Sequence, residues 1–400
     1  MIWRTVLAAP HRPLFLAGIV QALVAMGIWL IDVGGRYAGL WQAPVLPLPP
    51  PWLHASMLLF GVFAFFVFGF ILTAGPRWQG MPDTPPGVFR PAGLLMAAGW
   101  FIADIGLMVP GLLGPGLALA MAGWAVALRF IWRVALGTDQ ERRHILLMAT
   151  ALTLGLGGLS CLAVFAAGGP PVLGAAAVAL GLWGFLLPAF AIVIHRMLPF
   201  FSSGAIRGYV VHRPFWALAV VLAASGLHGI AALADAATWI WPADLAAAVA
   251  ALRLTWLWRL RESFAARIVA VLHVGFAWCG IGFALLTIHG LLLWAGGTGL
   301  GQAPVHALTI GFFSSTVVGM GSRVTLGHSG KPVAGDGVMW GAFWMLQLAA
   351  VLRITGEFVV LPGILSPTFL AALLWLCAFG AWAAKYAPNL WRPRADGRSG

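Results

Sequence analysis

The chain of 400 residues is 61% hydrophobic and only 8% charged, against about a quarter charged in ordinary soluble domains. This composition excludes a soluble globular protein, and repeated apolar runs of about 20 residues predict helices that cross the bilayer rather than strands of a barrel. The net charge of +12 is accounted for by a basic cytoplasmic rim, so we expect no nucleic-acid partner.

Twelve apolar segments follow one another along the chain, separated by Pro, Gly and Arg residues. They predict an all-α polytopic membrane protein with twelve transmembrane helices, forming one domain over residues 1–400 with a short cytoplasmic tail at 386–400. The predicted segments are 14–31, 52–75, 91–110, 112–135, 145–168, 171–195, 212–234, 238–258, 267–294, 303–325, 337–361 and 364–385.

The positive charges alternate between the two sides of these segments. Of the 23 Lys and Arg residues, 21 fall in every second gap, which leaves only Arg36 on the other side and Arg353 within a segment. Because cytoplasmic loops hold the excess of Lys and Arg, both termini are predicted to lie in the cytoplasm. The first segment has no small-residue cleavage site after it, so we expect it to remain as a helix.

Four histidines are predicted to lie in the outer half of the membrane. His54 begins the second segment, His306 begins the tenth, His289 lies near the end of the ninth, and His228 lies slightly deeper in the seventh. Ligating residues within spans are candidates for function because burying them is costly. Imidazole is an axial ligand of haem iron and also suits copper. The alternative, an interfacial imidazole bonded to a carbonyl, stays open for each.

A second group of histidines is predicted near the inner side. His195 closes the sixth segment, His273 lies in the ninth and His328 follows the tenth. His273 and His289 are separated by roughly 24 Å along one helix, so they cannot serve the same metal. If both are ligands, two sites lie on opposite sides of the membrane.

Three further histidines and one pair of charged residues can be interpreted from their neighbours in the sequence. His11, His144 and His212 flank arginines in inner loops and are interpreted as interfacial polar side chains. Arg353 and Glu357 have i,i+4 spacing and can pair with each other, although the guanidinium of Arg353 would equally suit a haem propionate.

Six stretches of the sequence, in order over nearly its whole length, resemble the NnrS family of membrane proteins. They are GFILTAGPRWQG (69–80), RMLPFFS (196–202), LHVGFAW (272–278), HALTIG (306–311), SRVTLGHSGKP (322–332) and YAPNLWRPRADG (386–397). The resemblance implies a twelve-span protein of the bacterial inner membrane that contains haem, which we expect to be of the b type, and copper. It also implies a link to nitric oxide, nitrosative stress and denitrification. The family positions carried over are His54, Arg196, His273, His306, Arg323, His328 and Arg353.

The chain departs from the family pattern at two places. Ser56 and Met57 stand where such proteins often have a second His and a Glu, and His195 stands where a Gly is usual. The loss of a His and a carboxylate puts copper in doubt more than haem, while His195 offers a new ligand.

A fold-level similarity to the catalytic subunit of haem–copper oxidases also bears on the site, because that subunit has twelve spans and holds a haem between its second and tenth helices. We therefore predict His54 and His306 as axial ligands of an outer haem, with Arg353 near a propionate. The remaining candidates are His273 and His328 for an inner site, Arg196 and Arg323 as partners of propionates, and His195, His228 and His289 as further metal ligands.

Three classes of function remain open from the sequence. The first is an oxidoreductase that consumes nitric oxide with electrons from quinol or another donor. The second is a non-enzymatic haem or metal carrier, sensor or transporter, and the third is a scaffold without a cofactor. Lipid and nitric oxide, or a similar small ligand, are the expected partners.

Overall fold

Helices make up the fold of the computed structural model, which describes residues 2–137, 139–234 and 236–397. Within those ranges there is no strand. The main helices are α1 (His11–Arg36), α2 (Pro50–Trp78), α3 (Pro86–Ile105), α4 (Leu113–Leu136), α5 (Arg143–Ala166), α6 (Pro171–Ser203), α7 (Phe215–Ala234), α8 (Trp241–Leu257), α9 (Arg267–Trp294), α10 (Ala303–His328), α11 (Gly337–Thr355) and α12 (Pro367–Tyr386).

The all-helical polytopic architecture predicted from the sequence is confirmed. In the described ranges, eleven helices are long and apolar enough to cross a membrane, and α8, with 17 residues, is shorter. The predicted boundaries of α9 agree with the structure at both ends. By contrast, α11 ends at Thr355 rather than at 361.

Proline marks where several of these helices begin. Pro50, Pro86, Pro171, Pro304 and Pro367 each lie in the first turn of a helix. Proline is tolerated there because its missing N–H would have no partner within the helix, and its fixed φ already suits the helical conformation.

Segments near the beginning and the end of the described chain meet at one end of the bundle. Nη1 of Arg12 donates to the carbonyl oxygens of Leu390 and Arg392, both at 3.1 Å, and Nη1 of Arg394 donates to the carbonyl of His328 at 3.2 Å. We call this the inner end, since it carries the arginine-rich connections, and the opposite end the outer end. Arg398, counted among the inner charges, lies outside the described residues.

Helices α2, α6 and α10 form the centre of the bundle. Within an 18-residue apolar stretch of each of these helices, 83%, 78% and 78% of the residues are buried, a larger share than in any other described span. Each contains a π-helical segment, at Met57–Phe63, Leu180–Leu186 and Ala307–Ser314. Segments of π-helix are rare and are often found at functional sites.

One phenylalanine from each central helix meets at the middle of the bundle. The ring of Phe63 lies 5.9 Å from those of Phe190 and Phe313, and the last two are 4.7 Å apart. Aromatic rings at such separations pack favourably. We call these three residues the phenylalanine layer.

Candidate functional site

His54 and His306 line one cavity near the outer end, together with Arg353. This outer cavity has a volume of about 40 Å³, so it is a narrow space between the side chains that line it. Its wall is otherwise largely apolar and includes Met26, Leu58, Phe63, Ile310 and Trp375. The structure thus brings together the two imidazoles and the guanidinium that the sequence assigned to an outer haem, while metal ligation by them stays a prediction.

The imidazole of His306 is held by the backbone one turn earlier. Its Nδ1 lies 2.9 Å from the carbonyl oxygen of Gln302, and a carbonyl can only accept, so Nδ1 carries the proton. In a neutral ring Nε2 is then unprotonated and free to bind a metal. A ligating histidine commonly donates its other ring N–H to such an oxygen, which fixes the tautomer and the ring orientation.

The same backbone turn connects His306 to Arg353. The N–H of Gln302 donates to Oε2 of Glu357 at 3.1 Å, and Nη1 of Arg353 lies 2.5 Å from Oε1 of that carboxylate. Gly301 has φ of +55°, and a Cβ there would collide with Glu357. Glycine at 301 therefore allows the Glu357 carboxylate to approach. Hydrogen bonds through Glu357 and Gln302 connect Arg353 to His306 and position both side chains.

His54 is held by an aromatic contact instead of a hydrogen bond. Its ring stacks on Trp29, with centroids 4.0 Å apart and planes inclined by 19°, and its buried Nδ1 has no hydrogen-bond partner. The guanidinium of Arg36 lies 5.3 Å from the Trp29 ring and pairs with Asp32. Asp32 and His54 also line a second, smaller cavity.

The π-helical segments of α2 and α10 follow these two histidines directly and were not predicted. Ser314 supports the segment in α10, because its Oγ donates to the carbonyl of Thr309, five residues earlier, at 3.0 Å and accepts from Nε1 of Trp375 at 2.9 Å. Both segments contain a glycine followed closely by phenylalanine, at Gly61 and Gly311. The wider turn changes which side chains face the cavity.

The other outer histidines do not line the outer cavity. Nδ1 of His228 lies 3.0 Å from Oδ1 of Asp244, although the angle does not make this a hydrogen bond. Nδ1 of His289 accepts from the N–H of Leu300 at 2.9 Å, so that nitrogen is not available to a metal.

The inner candidates have separate partners. His273 Nε2 lies 2.8 Å from the hydroxyl of Ser202, which itself donates to the Leu198 carbonyl, so the imidazole is the donor. His328 packs against His11, with ring centroids 4.4 Å apart. No contact joins the predicted inner pair, His273 and His328, and no group of three metal-binding side chains occurs within the described parts of the chain.

Arg196 and Arg323, the predicted propionate partners, each cover an aromatic ring. Arg196 lies 4.8 Å from the Trp78 ring and donates to the Trp78 carbonyl at 3.4 Å. Arg323 lies 3.9 Å from the ring of Phe201. Cation–π contacts of this kind stabilise a partly buried guanidinium, so both arginines have structural roles without a cofactor.

His144 and His195 form a pair that sequence reasoning missed. Nε2 of His144 lies 3.1 Å from Nδ1 of His195, and its Nδ1 lies 3.3 Å from Oε2 of Glu141. His11 and His144 are only 2% and 6% exposed, so interpreting them as interfacial side chains was wrong. Each is buried against another imidazole from a distant part of the sequence, which local flanking arginines do not reveal.

The model of the NnrS protein family matches residues 5–394, nearly the whole chain. No curated protein matches the sequence.

Proposed function

The chain belongs to the NnrS family, and we propose that it is a haem-binding protein of the bacterial inner membrane that acts in the response to nitric oxide. The observation that carries the haem site is that His54, His306 and Arg353, from three different helices, line one largely apolar cavity. The family resemblance supports the physiological setting.

The residues around the outer cavity have the chemistry that a b-type haem requires, and the cavity of about 40 Å³ would have to widen to admit the porphyrin. The imidazoles suit the iron, the apolar wall suits the porphyrin face, and the Arg353 guanidinium suits a propionate. The hydrogen bond from His306 to the Gln302 carbonyl leaves Nε2 as the metal-binding atom of that ring. The buried Nδ1 of His54 has no hydrogen-bond partner, so the imidazole of His54 can still bind a ligand. Copper is not part of the proposal.

When bound there, haem supplies an iron that, in its ferrous state, takes up nitric oxide strongly. His54 of α2 and His306 of α10 would hold the iron, and Met26, Ile310 and Trp375 would keep water from the site. Glu357 accepts the N–H of Gln302 and pairs with Arg353, which keeps the guanidinium at the cavity wall. These features favour tight binding of nitric oxide. With electrons from a quinol-type donor, the protein would act as an oxidoreductase that consumes nitric oxide.

A non-enzymatic sensor or carrier is the second candidate function. His54 and His306 would be the residues that hold the haem, and binding of nitric oxide at such a site would be an event that can be read out without turnover. Purified protein that binds nitric oxide but does not consume it in the presence of a reductant would support this second candidate.

The test is an absorption spectrum of detergent-purified protein, oxidised and reduced, with and without nitric oxide. We expect a six-coordinate haem signal that is lost in both His54→Ala and His306→Ala and retained in His289→Ala, which serves as a matched outer histidine. A spectrum without haem in protein purified under haem-replete conditions, or unchanged spectra in both cavity variants, would overturn the proposed site.

A further inference from the structure

A further cavity lies between α1, α2, α6 and α10. This central cavity has a volume of about 40 Å³, and its lining includes Phe66, Phe70, Phe190, Val193, Thr316 and Met320. Thr316 lies ten residues after His306 on the same helix, a separation of roughly 15 Å along an α-helix. Every lining residue is buried, so the cavity lies deep between these four helices.

The wall of this cavity is almost wholly apolar. Thr316 is 3% exposed, and its Oγ1 has no hydrogen-bond partner. Elsewhere in the spans, the hydroxyls of Thr73, Thr153 and Thr287 donate to the carbonyl four residues earlier at 2.7–2.8 Å. The Oγ1 of Thr316 makes no such bond and lies toward α9, 3.5 Å from where a Cβ at Gly275 would be.

This chemistry excludes most ligands. A buried water needs two to four polar partners, and apolar cavities stay dry and bind uncharged guests such as xenon. A quinone or porphyrin is too large for this space and would bury several polar groups against an apolar wall, which is costly. A small uncharged gas molecule has little or nothing to desolvate and fits the apolar wall.

The phenylalanine layer separates the two cavities. Phe63 lines the outer cavity and Phe190 lines the central one, and their rings pack edge to face at 5.9 Å with an angle of 89°. Phe313 closes the third side, 4.7 Å from Phe190.

We propose that the central cavity is a binding site for small uncharged gas molecules and that the phenylalanine layer is the passage from it to the outer cavity. Nitric oxide as the natural occupant rests on the proposed function, whereas the gas site itself rests only on the cavity and its lining. The two ideas can therefore fail separately.

Xenon is the probe that tests the site without haem chemistry. We expect a saturable change in the ¹²⁹Xe NMR signal of the purified full-length protein, lost in Val193→Phe, which fills the cavity, and retained in Thr316→Val. Val249→Phe, at a position exposed on the surface of α8, is the matched control. If Val193→Phe does not yield folded protein, Ala189→Leu gives a smaller filling of the same space.

Three outcomes would overturn the gas site. They are the absence of saturable xenon binding in the unaltered protein, equal binding in the cavity-filling variants, and equal loss in Val249→Phe. Saturable xenon binding in a protein that purifies without haem under haem-replete conditions would support the gas site while refuting the proposed function.

The passage is tested with carbon monoxide on the reduced, haem-loaded protein. After flash photolysis, we expect a slow rebinding phase that xenon pressure removes by occupying the central cavity. Phe190→Trp, which thickens the layer, should remove the same phase with or without xenon. Rebinding that neither xenon nor Phe190→Trp alters would overturn the passage and leave the xenon site standing.

Discussion

The imidazole of His54 lies almost parallel to the indole of Trp29, with ring centroids 4.0 Å apart. No hydrogen bond holds Nδ1 of His54, whereas Nδ1 of His306 donates to the Gln302 carbonyl. The two histidines of the outer cavity are thus anchored by different forces, and stacking constrains a ring less strictly in its own plane than a hydrogen bond does. We therefore expect substitutions at the two histidines, and at Trp29, to change haem binding in different ways.

Replacement of the two histidines should have unequal effects. In His306→Ala we expect loss of haem, because the better anchored ligand is gone. In His54→Ala we expect haem to remain with one axial ligand and to bind nitric oxide faster, since no imidazole has to leave. Haem content per protein and stopped-flow nitric oxide binding measure the two effects. Equal haem loss in both variants would contradict the asymmetry.

Trp29 is expected to control how firmly His54 stays in place. Trp29→Leu removes the stacking surface, and an aromatic pair of this kind contributes about 0.5–1.5 kcal/mol. The reduced protein should therefore show a mixture of six- and five-coordinate haem, while Trp29→Phe, which keeps an aromatic face, should remain closer to the unaltered spectrum. Resonance Raman spectroscopy distinguishes the coordination states, and identical spectra for the two variants would count against the role of stacking.

Gly301 is expected to matter because of the carboxylate beside it. Gly301→Ala places a methyl group against Oε2 of Glu357 and also strains a positive φ, while Gly363→Ala, with φ of +62° and open space around it, adds strain alone. Left-handed backbone costs roughly 1–2 kcal/mol for a residue with a Cβ, so Gly363→Ala should lose about that much stability. Gly301→Ala should lose more and also lower haem retention.

Thermal unfolding and haem content of the purified variants measure these effects. Glu357→Gln provides an independent check, because it weakens the pairing with Arg353 without altering the backbone, and we expect it to reduce haem retention too. If Gly301→Ala and Gly363→Ala behave alike, the carboxylate is not positioned by this close approach.

The packing of α3 against α4 makes a further prediction independent of any cofactor. A Cβ at Gly99 would collide with the backbone nitrogen of Ala120, whereas one at Gly226 in α7 would meet nothing within 4 Å. Gly99→Ala should destabilise the protein by about 1–3 kcal/mol through overpacking. Gly226→Ala should be neutral or slightly stabilising, because alanine is the better helix former. Unfolding in detergent compares them, and the opposite order would refute the close contact.

The sequence by itself determined the helical architecture, because hydrophobic length and the distribution of arginine are local properties that a bilayer reads directly. Arg267–Trp294 was predicted at both ends, and the termini were placed correctly on one side. The resemblance to a known family, also carried by the sequence, selected His54, His306 and Arg353 as candidates. Their joint position in one cavity agrees with the expectation that α2 and α10 meet.

Only the tertiary structure decided how those side chains are held. The π-helical segments after His54 and His306, the stacking of Trp29, and the bonds from Gln302 to His306 and Glu357 depend on neighbours brought from remote parts of the chain. The burial of His11 against His328 has the same origin. Apolar patterning places a residue at a depth in the membrane, but long-range packing selects the partner it meets there, and a single sequence carries no local signal for that choice.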